Sequence, residues 1–150
     1  KTNSKIKLHM IGKLQTNKVK FAIKLFDYIH SVDSEKLAKK IADEQTKINK
    51  KIKIFLQVNI GDESQKSGIN KKEVKQLVSY CNEIGLDLVG LMCIPPANIN
   101  PETYFDEMNK LNKDLGFTEL SMGMSSDFLL ATKYLSTYLR VGSSIFGQRT

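Results

Sequence analysis

Short apolar runs rich in β-branched residues alternate with amphipathic helical patterns along the whole chain, and no other feature narrows its fold as far. The strand-like runs cover residues 6–12, 27–32, 52–60, 86–94, 118–122 and 139–145. Helical patterns fill the intervals. Residues 34–48 turn Leu37, Ala38, Ile41 and Ile48 toward a core, with Asp33 as the expected cap. Residues 71–84 place Val74, Leu77, Val78, Cys81 and Ile84 on one stripe, which Gly85 ends. Residues 101–115 start with Asn100 as cap and Pro101 in the first turn. They carry Tyr104, Phe105, Met108, Leu111 and Leu115 on one face and stop at Gly116. Shorter helices are expected after Gln15 and over residues 127–134. Strands linked by helical crossovers form a parallel sheet with right-handed connections.

Two such architectures compete, the open doubly wound sheet and the closed barrel. The run 54–60 discriminates between them. Ile54, Leu56, Val58 and Ile60 point one way, while Phe55, Gln57 and Asn59 point the other. A central strand of an open sheet is covered on both faces and should be apolar on both. A polar face suits a barrel lumen that opens toward a site. The reading is therefore α/β, a single domain over residues 1–150 of the TIM (β/α)₈ type. Six strands do not close a barrel that needs eight βα units. Because the chain starts without a methionine and enters a strand almost at once, about two units are expected to precede Lys1.

At 150 residues, 41% of them hydrophobic, the chain is long enough for one domain with a real core. No run approaches the roughly 18 apolar residues of a membrane span, and no signal-peptide pattern opens the sequence. Cys81 and Cys93 read as small core hydrophobes in a reducing compartment, which makes the cytoplasm the default. The net charge of +7 is uneven: residues 1–53 carry 14 basic and five acidic side chains, residues 54–150 nine basic and 11 acidic. The excess is lysine scattered over helices, without the arginine clusters or interleaved aromatics that hold nucleic acid. No nucleic acid and no membrane are expected as partners.

The chemistry concentrates near the end of the sequence. Leu120-Ser121-Met122-Gly123-Met124-Ser125 and Leu139-Arg140-Val141-Gly142-Ser143-Ser144 each read as a strand running into a tight turn. Glycine beside serine just past a strand leaves N–H groups and hydroxyls free to surround an anion. When the last two strands of an α/β barrel do this, the usual occupant is a phosphate. The competing reading makes Ser125 or Ser126 a simple helix cap. Only two of the 23 basic residues are arginine, so Arg140, within an apolar strand and on one face with Gly142, reads as a donor fixed for a ligand. The alternative for it is a buried ion pair. His9 reads as a hydrogen-bonded core residue, and His30 is assigned no role. The loop 61–68 could bring Lys66 near a ligand. No nucleophile–base pair, no paired carboxylates and no metal spacing can be argued, so no catalytic or metal residue is named.

Together these segments resemble one family. His9-Met-Ile-Gly-Lys-Leu-Gln-Thr-Asn-Lys18 is similar to its HxIGxLQxNK segment, and Phe55-Leu-Gln-Val-Asn-Ile60 with Lys66-Ser-Gly-Ile69 to QVNxxxExxKxGI. Gly90-Leu-Met-Cys-Ile-Pro95 resembles GLMxIP, Leu120–Ser125 resembles LSMGMSxD, and Leu139–Gly147 through Arg149 resembles VRxGxxIFGxR. That is the pyridoxal-phosphate homeostasis protein family, related to the barrel domain of alanine racemases. The resemblance implies a TIM barrel that holds pyridoxal 5′-phosphate without established turnover and serves vitamin B6 and amino-acid homeostasis as a carrier or regulator. It implies that Ser121, Gly142 and Ser143 hold the phosphate and that Arg140 faces the pyridine nitrogen. The Schiff-base lysine of the family sits in a segment like VSK on the first strand, followed by a GEN segment on the second. Neither segment occurs here, and no lysine is assigned that role. A monomer or weak dimer is expected. The runner-up, an amino-acid racemase using the same cofactor, would need a β-rich second domain supplying a tyrosine acid/base.

Overall fold

A computed structural model describes residues 6–147. Seven strands form one sheet: β1 His9–Met10, β2 Tyr28–Val32, β3 Lys53–Asn59, β4 Ile69–Asn70, β5 Asp87–Cys93, β6 Glu119–Met124 and β7 Tyr138–Arg140. They lie in the order β1-β2-β3-β5-β6-β7, with the short β4 beside β3, and every pairing is parallel. The chain returns between strands through α1 Val19–Leu25, α2 Glu35–Ile48, α3 Val74–Glu83, α4 Glu102–Asp114 and α5 Phe128–Lys133. A single turn, α6 Ser143–Phe146, follows β7.

The sheet is strongly curved. In a flat sheet five strand spacings of about 4.8 Å would hold β1 and β7 roughly 24 Å apart. Instead the rings of His9 on β1 and Tyr138 on β7 lie 5.5 Å apart, and Tyr28 on β2 is 5.7 Å from Tyr138. The inner side chains of opposite strands therefore meet across a trough. β1 and β7 do not pair with each other, so the described residues form a part-barrel, as expected of six main strands that fall short of the eight a closed barrel needs.

The strands carry two unlike faces. Ile29, Ile54, Leu56, Val58, Leu91, Leu120 and Met122 lie in one apolar core with Ile23, Leu37, Ile41, Leu77, Phe105 and Met108 from the helices. Phe55 and Met92 are equally buried but lie outside that cluster, on the inner face. Register aligns the inner residues in a row: Phe55 opposite Gly90, Gln57 opposite Met92, Met92 opposite Ser121, and Ser121 opposite Tyr138. Gly90 is required by contact alone, because a Cβ there would lie 1.8 Å from the Glu119 carbonyl oxygen. Among the described residues no helix is long and apolar enough to cross a membrane.

Several boundaries differ from the sequence reading for identifiable reasons. The run 6–12 contributes only His9–Met10, because the amide of Leu8 donates to the Asp27 carboxylate instead of a ladder. The run 139–145 stops as a strand at Arg140; the amides of Gly142 and Ser144 donate to Ser125 Oγ, and residues 143–146 are helical. Ser34, not Asp33, caps α2 by accepting from the Leu37 amide, while Asp33 accepts from the Gly68 amide across the sheet end. Pro101 occupies the cap position of α4, although Asn100 still accepts from the Glu102 amide. The two-residue β4 had no distinguishing pattern.

Candidate functional site

The last two strands are stitched together by side chains as much as by backbone. The amides of Leu120 and Met122 donate to Thr137 Oγ1 and Ser136 Oγ, at 2.8 and 3.2 Å. These bonds fix the approach to β7 and point Tyr138 and Arg140 into the trough.

Arg140 takes no part in an ion pair among the described residues. Its Nη1 donates to Ser121 Oγ and its Nη2 to the Cys93 carbonyl, both at 2.8 Å. Burial pushes the guanidinium's pKa down from its ordinary value, yet a guanidinium keeps its charge in proteins. An uncompensated, mostly buried cation is unfavourable alone and favourable beside an anionic or strongly accepting ligand.

Ser121 is fully buried and belongs to a chain of polar contacts. Its Oγ lies 2.9 Å from His30 Nδ1, and His30 Nε2 lies 2.9 Å from His9 Nδ1. His30 is 1% exposed and stacks on Phe55 at 4.3 Å, so the role-less histidine of the sequence reading stands at the centre of the inner face. Its pKa is pushed down to about 3, by burial first and then by His9 and Arg140. His9 is lowered too, by burial, against the pull of Asp27. It stacks on Tyr28 at 4.1 Å with the planes 9° apart. His9 is half-buried rather than a core residue, and it borders a cavity of about 380 Å³ with Ile11, His30, Tyr138, Arg140 and Gly142.

The two glycine-serine turns do meet, and Ser125 joins them. Its Oγ accepts from the Gly142 and Ser144 amides at 3.1 and 3.3 Å, and its carbonyl accepts from Ser144 Oγ at 3.3 Å. Gly123 has φ +92°, where a Cβ would strike that of Ala131 at 2.6 Å. Gly142 is different: a Cβ there would meet nothing within 4 Å, so open space lies before this turn. Ser143 keeps both its amide and its hydroxyl without a partner among the described residues. Neither Ser125 nor Ser126 caps α5; Asp127 holds that position and accepts from the Met124 amide.

Of the residues singled out beforehand, Arg140 and Gly142 border this cavity, and Ser143 follows directly in the chain as the first residue of α6. Ser121 lies deeper, engaged by Arg140 and His30, and the hydroxyl that reaches the Gly142 turn is that of Ser125. Lys66 is held within its own loop, 2.6 Å from the Glu63 carboxylate and donating to the Pro95 carbonyl. Asn59 and Gln57 brace that same loop through Glu63 and Ser67. The signal for His30 was present in the sequence: Tyr28 and His30 share a face opposite the core residue Ile29.

Comparison with known proteins identifies the family and the fold. The family model for the alanine racemase N-terminal domain matches residues 3–150. A pyridoxal phosphate homeostasis protein from Aquifex aeolicus is 38% identical over 94% of this chain and 66% of its own length. Its counterpart from Vibrio alginolyticus is 35% identical over 98% of this chain and 67% of its own. The chain thus spans about two thirds of the length of these curated relatives. Among solved structures, PipY from Synechococcus elongatus with PLP bound superposes at a TM-score of 0.87 with 31% identity, over 95% of this chain and 71% of PipY. An alanine racemase from Clostridium difficile shares the fold at a TM-score of 0.74 with 16% identity, over 97% of this chain and 41% of its own. The chain belongs to the alanine racemase N-terminal domain family, among relatives named pyridoxal phosphate homeostasis proteins.

Proposed function

We propose that this protein holds pyridoxal 5′-phosphate in the cavity between β1 and β7, as a carrier or regulator of the cofactor and not as a catalyst. The observation that carries the reading is Arg140: a mostly buried guanidinium with no carboxylate partner among the described residues, beside an open turn where Ser143 keeps its donors without a partner among those residues. The residues fit the group. The cavity is of a size that takes small ligands. The space before Gly142 admits a phosphate against backbone, Ser143 supplies an N–H and a hydroxyl, and Ser125 shapes the turn from just past the end of the neighbouring β6. Ser121 contributes by holding Arg140 and not by touching the phosphate.

When bound, pyridoxal phosphate supplies an aldehyde that captures amines and a ring that withdraws electrons most strongly when its nitrogen is protonated. Arg140 can only donate, so it keeps that nitrogen as an acceptor and leaves the ring a weak electron sink. Tyr138 closes one side of the cavity. Its hydroxyl lies 3.5 Å from that of Tyr28, and this contact, then burial, pushes its pKa upward, which makes it a poor base at neutral pH. This set of groups supports holding the cofactor over turning it over.

Calorimetric titration with pyridoxal 5′-phosphate and with pyridoxal tests the reading. The phosphorylated ligand should bind at least about tenfold more tightly, since the phosphate makes several charge-assisted bonds. Arg140→Gln should weaken both ligands together. Equal affinity for the two ligands would remove the phosphate from the Gly142 turn, and rapid amino-acid racemisation by the protein would end the non-catalytic reading.

A further inference from the structure

The polar chain across the inner face has a direction, and the hydrogen-bond inventory of its members sets it. Arginine has donors only, so at the bond between Arg140 and Ser121 the serine oxygen must accept. A fully buried hydroxyl also needs an acceptor for its own proton. Among the described residues the only one in reach is His30 Nδ1, at 2.9 Å. A bare Nδ1 on a neutral imidazole places the proton on Nε2. That N–H then donates to His9 Nδ1, 2.9 Å away. His9 must in turn carry its proton on Nε2, the one ring nitrogen left over, on a side chain that borders the cavity.

The opposite direction is less favourable at one identifiable atom. If His30 donated from Nδ1 to Ser121, the serine oxygen would accept twice and its proton would be buried without a partner. Such a group gives up its hydrogen bond to water and gains none in return. The charged groups bearing on the pair are Asp27 near His9 and Arg140 near His30. Both rings are neutral at physiological pH, so the question is only which nitrogen of each carries the proton.

We propose that His9 is a ligand-binding residue, presenting a neutral Nε2–H donor to an oxygen acceptor of whatever occupies the cavity, with its tautomer fixed by Arg140 through Ser121 and His30. No part of this rests on a charge at His9. It rests on the reading above in one respect. If Arg140 takes the ring nitrogen of pyridoxal phosphate and the Gly142 turn takes the phosphate, the acceptor left for His9 is an oxygen on the remaining edge of the ring. Tyr28, stacked beneath His9, holds the imidazole plane in place for that bond.

Two measurements on the full chain test it. Long-range proton–nitrogen NMR of the imidazoles should show both His9 and His30 as Nε2–H tautomers, and Ser121→Ala should return them to a mixture. An Nδ1–H tautomer at His30 overturns the inference. Separately, pyridoxine 5′-phosphate, which has no aldehyde and so needs no lysine, serves as the titrant. His9→Phe keeps a ring over Tyr28 but has no donor, and it should weaken this ligand about tenfold, with His9→Gln recovering part of the loss. Equal affinity of wild type and His9→Phe overturns this inference alone. A wild type that binds no pyridoxine 5′-phosphate sinks the cavity reading and this inference with it.

Discussion

The outer and inner faces of the sheet are made from alternate residues of the same strands, yet different forces organise them. Outside, Ile54, Leu56 and Val58 meet Leu77, Phe105 and Met108 through burial that has no preferred direction. Inside, His9, His30, Ser121 and Arg140 come from four strands and are joined by bonds whose donors and acceptors must match one by one. The outer face holds the fold together and tolerates apolar exchange of similar volume. The inner face positions donors around a cavity and holds an unneutralised cation whose natural complement is a ligand. One strand period thus separates stability from recognition.

Substitutions should separate the two faces, and the largest effect belongs outside. Phe105→Ala should lower unfolding free energy by about 3–5 kcal/mol, read from the denaturant midpoint. A loss of under about 1 kcal/mol would mean that α4 is not packed as described. Inside, acid provides the next test. The folded pKa of His30 lies at about 3, below the ordinary 6.5, so the unfolded chain binds the extra proton between those values. Stability from this group is intact above about pH 6.5 and is lost as pH falls toward 3, at up to about 1.4 kcal/mol per pH unit. His30→Gln should flatten that slope, and an unchanged slope would place the proton uptake elsewhere. The smallest effect expected is at a helix end far from the cavity: Ser34→Ala should cost about 1 kcal/mol and leave ligand affinity unchanged. Asp33→Ala should spare the helix and loosen the loop at Gly68, reversing the assignment that sequence alone favours.

The outer face was legible because it follows period: the stripes through Leu37 and Ile41, through Leu77 and Cys81, and through Phe105 and Met108 are where the core is found. The lumen was half legible. Phe55 and Gln57 revealed that β3 had a second kind of face, and the scarcity of arginine singled out Arg140. What sequence could not supply was the curvature that brings residue 30 to residue 121, and with it the role of His30. Ser121 and Ser125 differ by one turn of chemistry that spacing does not reveal. Which one meets Arg140 and which meets Gly142 depends on the register shift between β6 and β7. Strand ends were misjudged where a side chain took over a backbone bond, as Ser125 does at Gly142 and Asp27 does at Leu8.

On the function proposed above, Arg140 and the Gly142 turn grip the cofactor. Amide chemical shifts followed during titration with pyridoxal 5′-phosphate test it most directly. The amides of Gly142, Ser143 and Ser144 and the side-chain N–H of Arg140 should move first and saturate together, while those of α2 stay still. Movement confined to the basic groove of Lys36, Lys39 and Lys40, with the Gly142 turn unchanged, would contradict it.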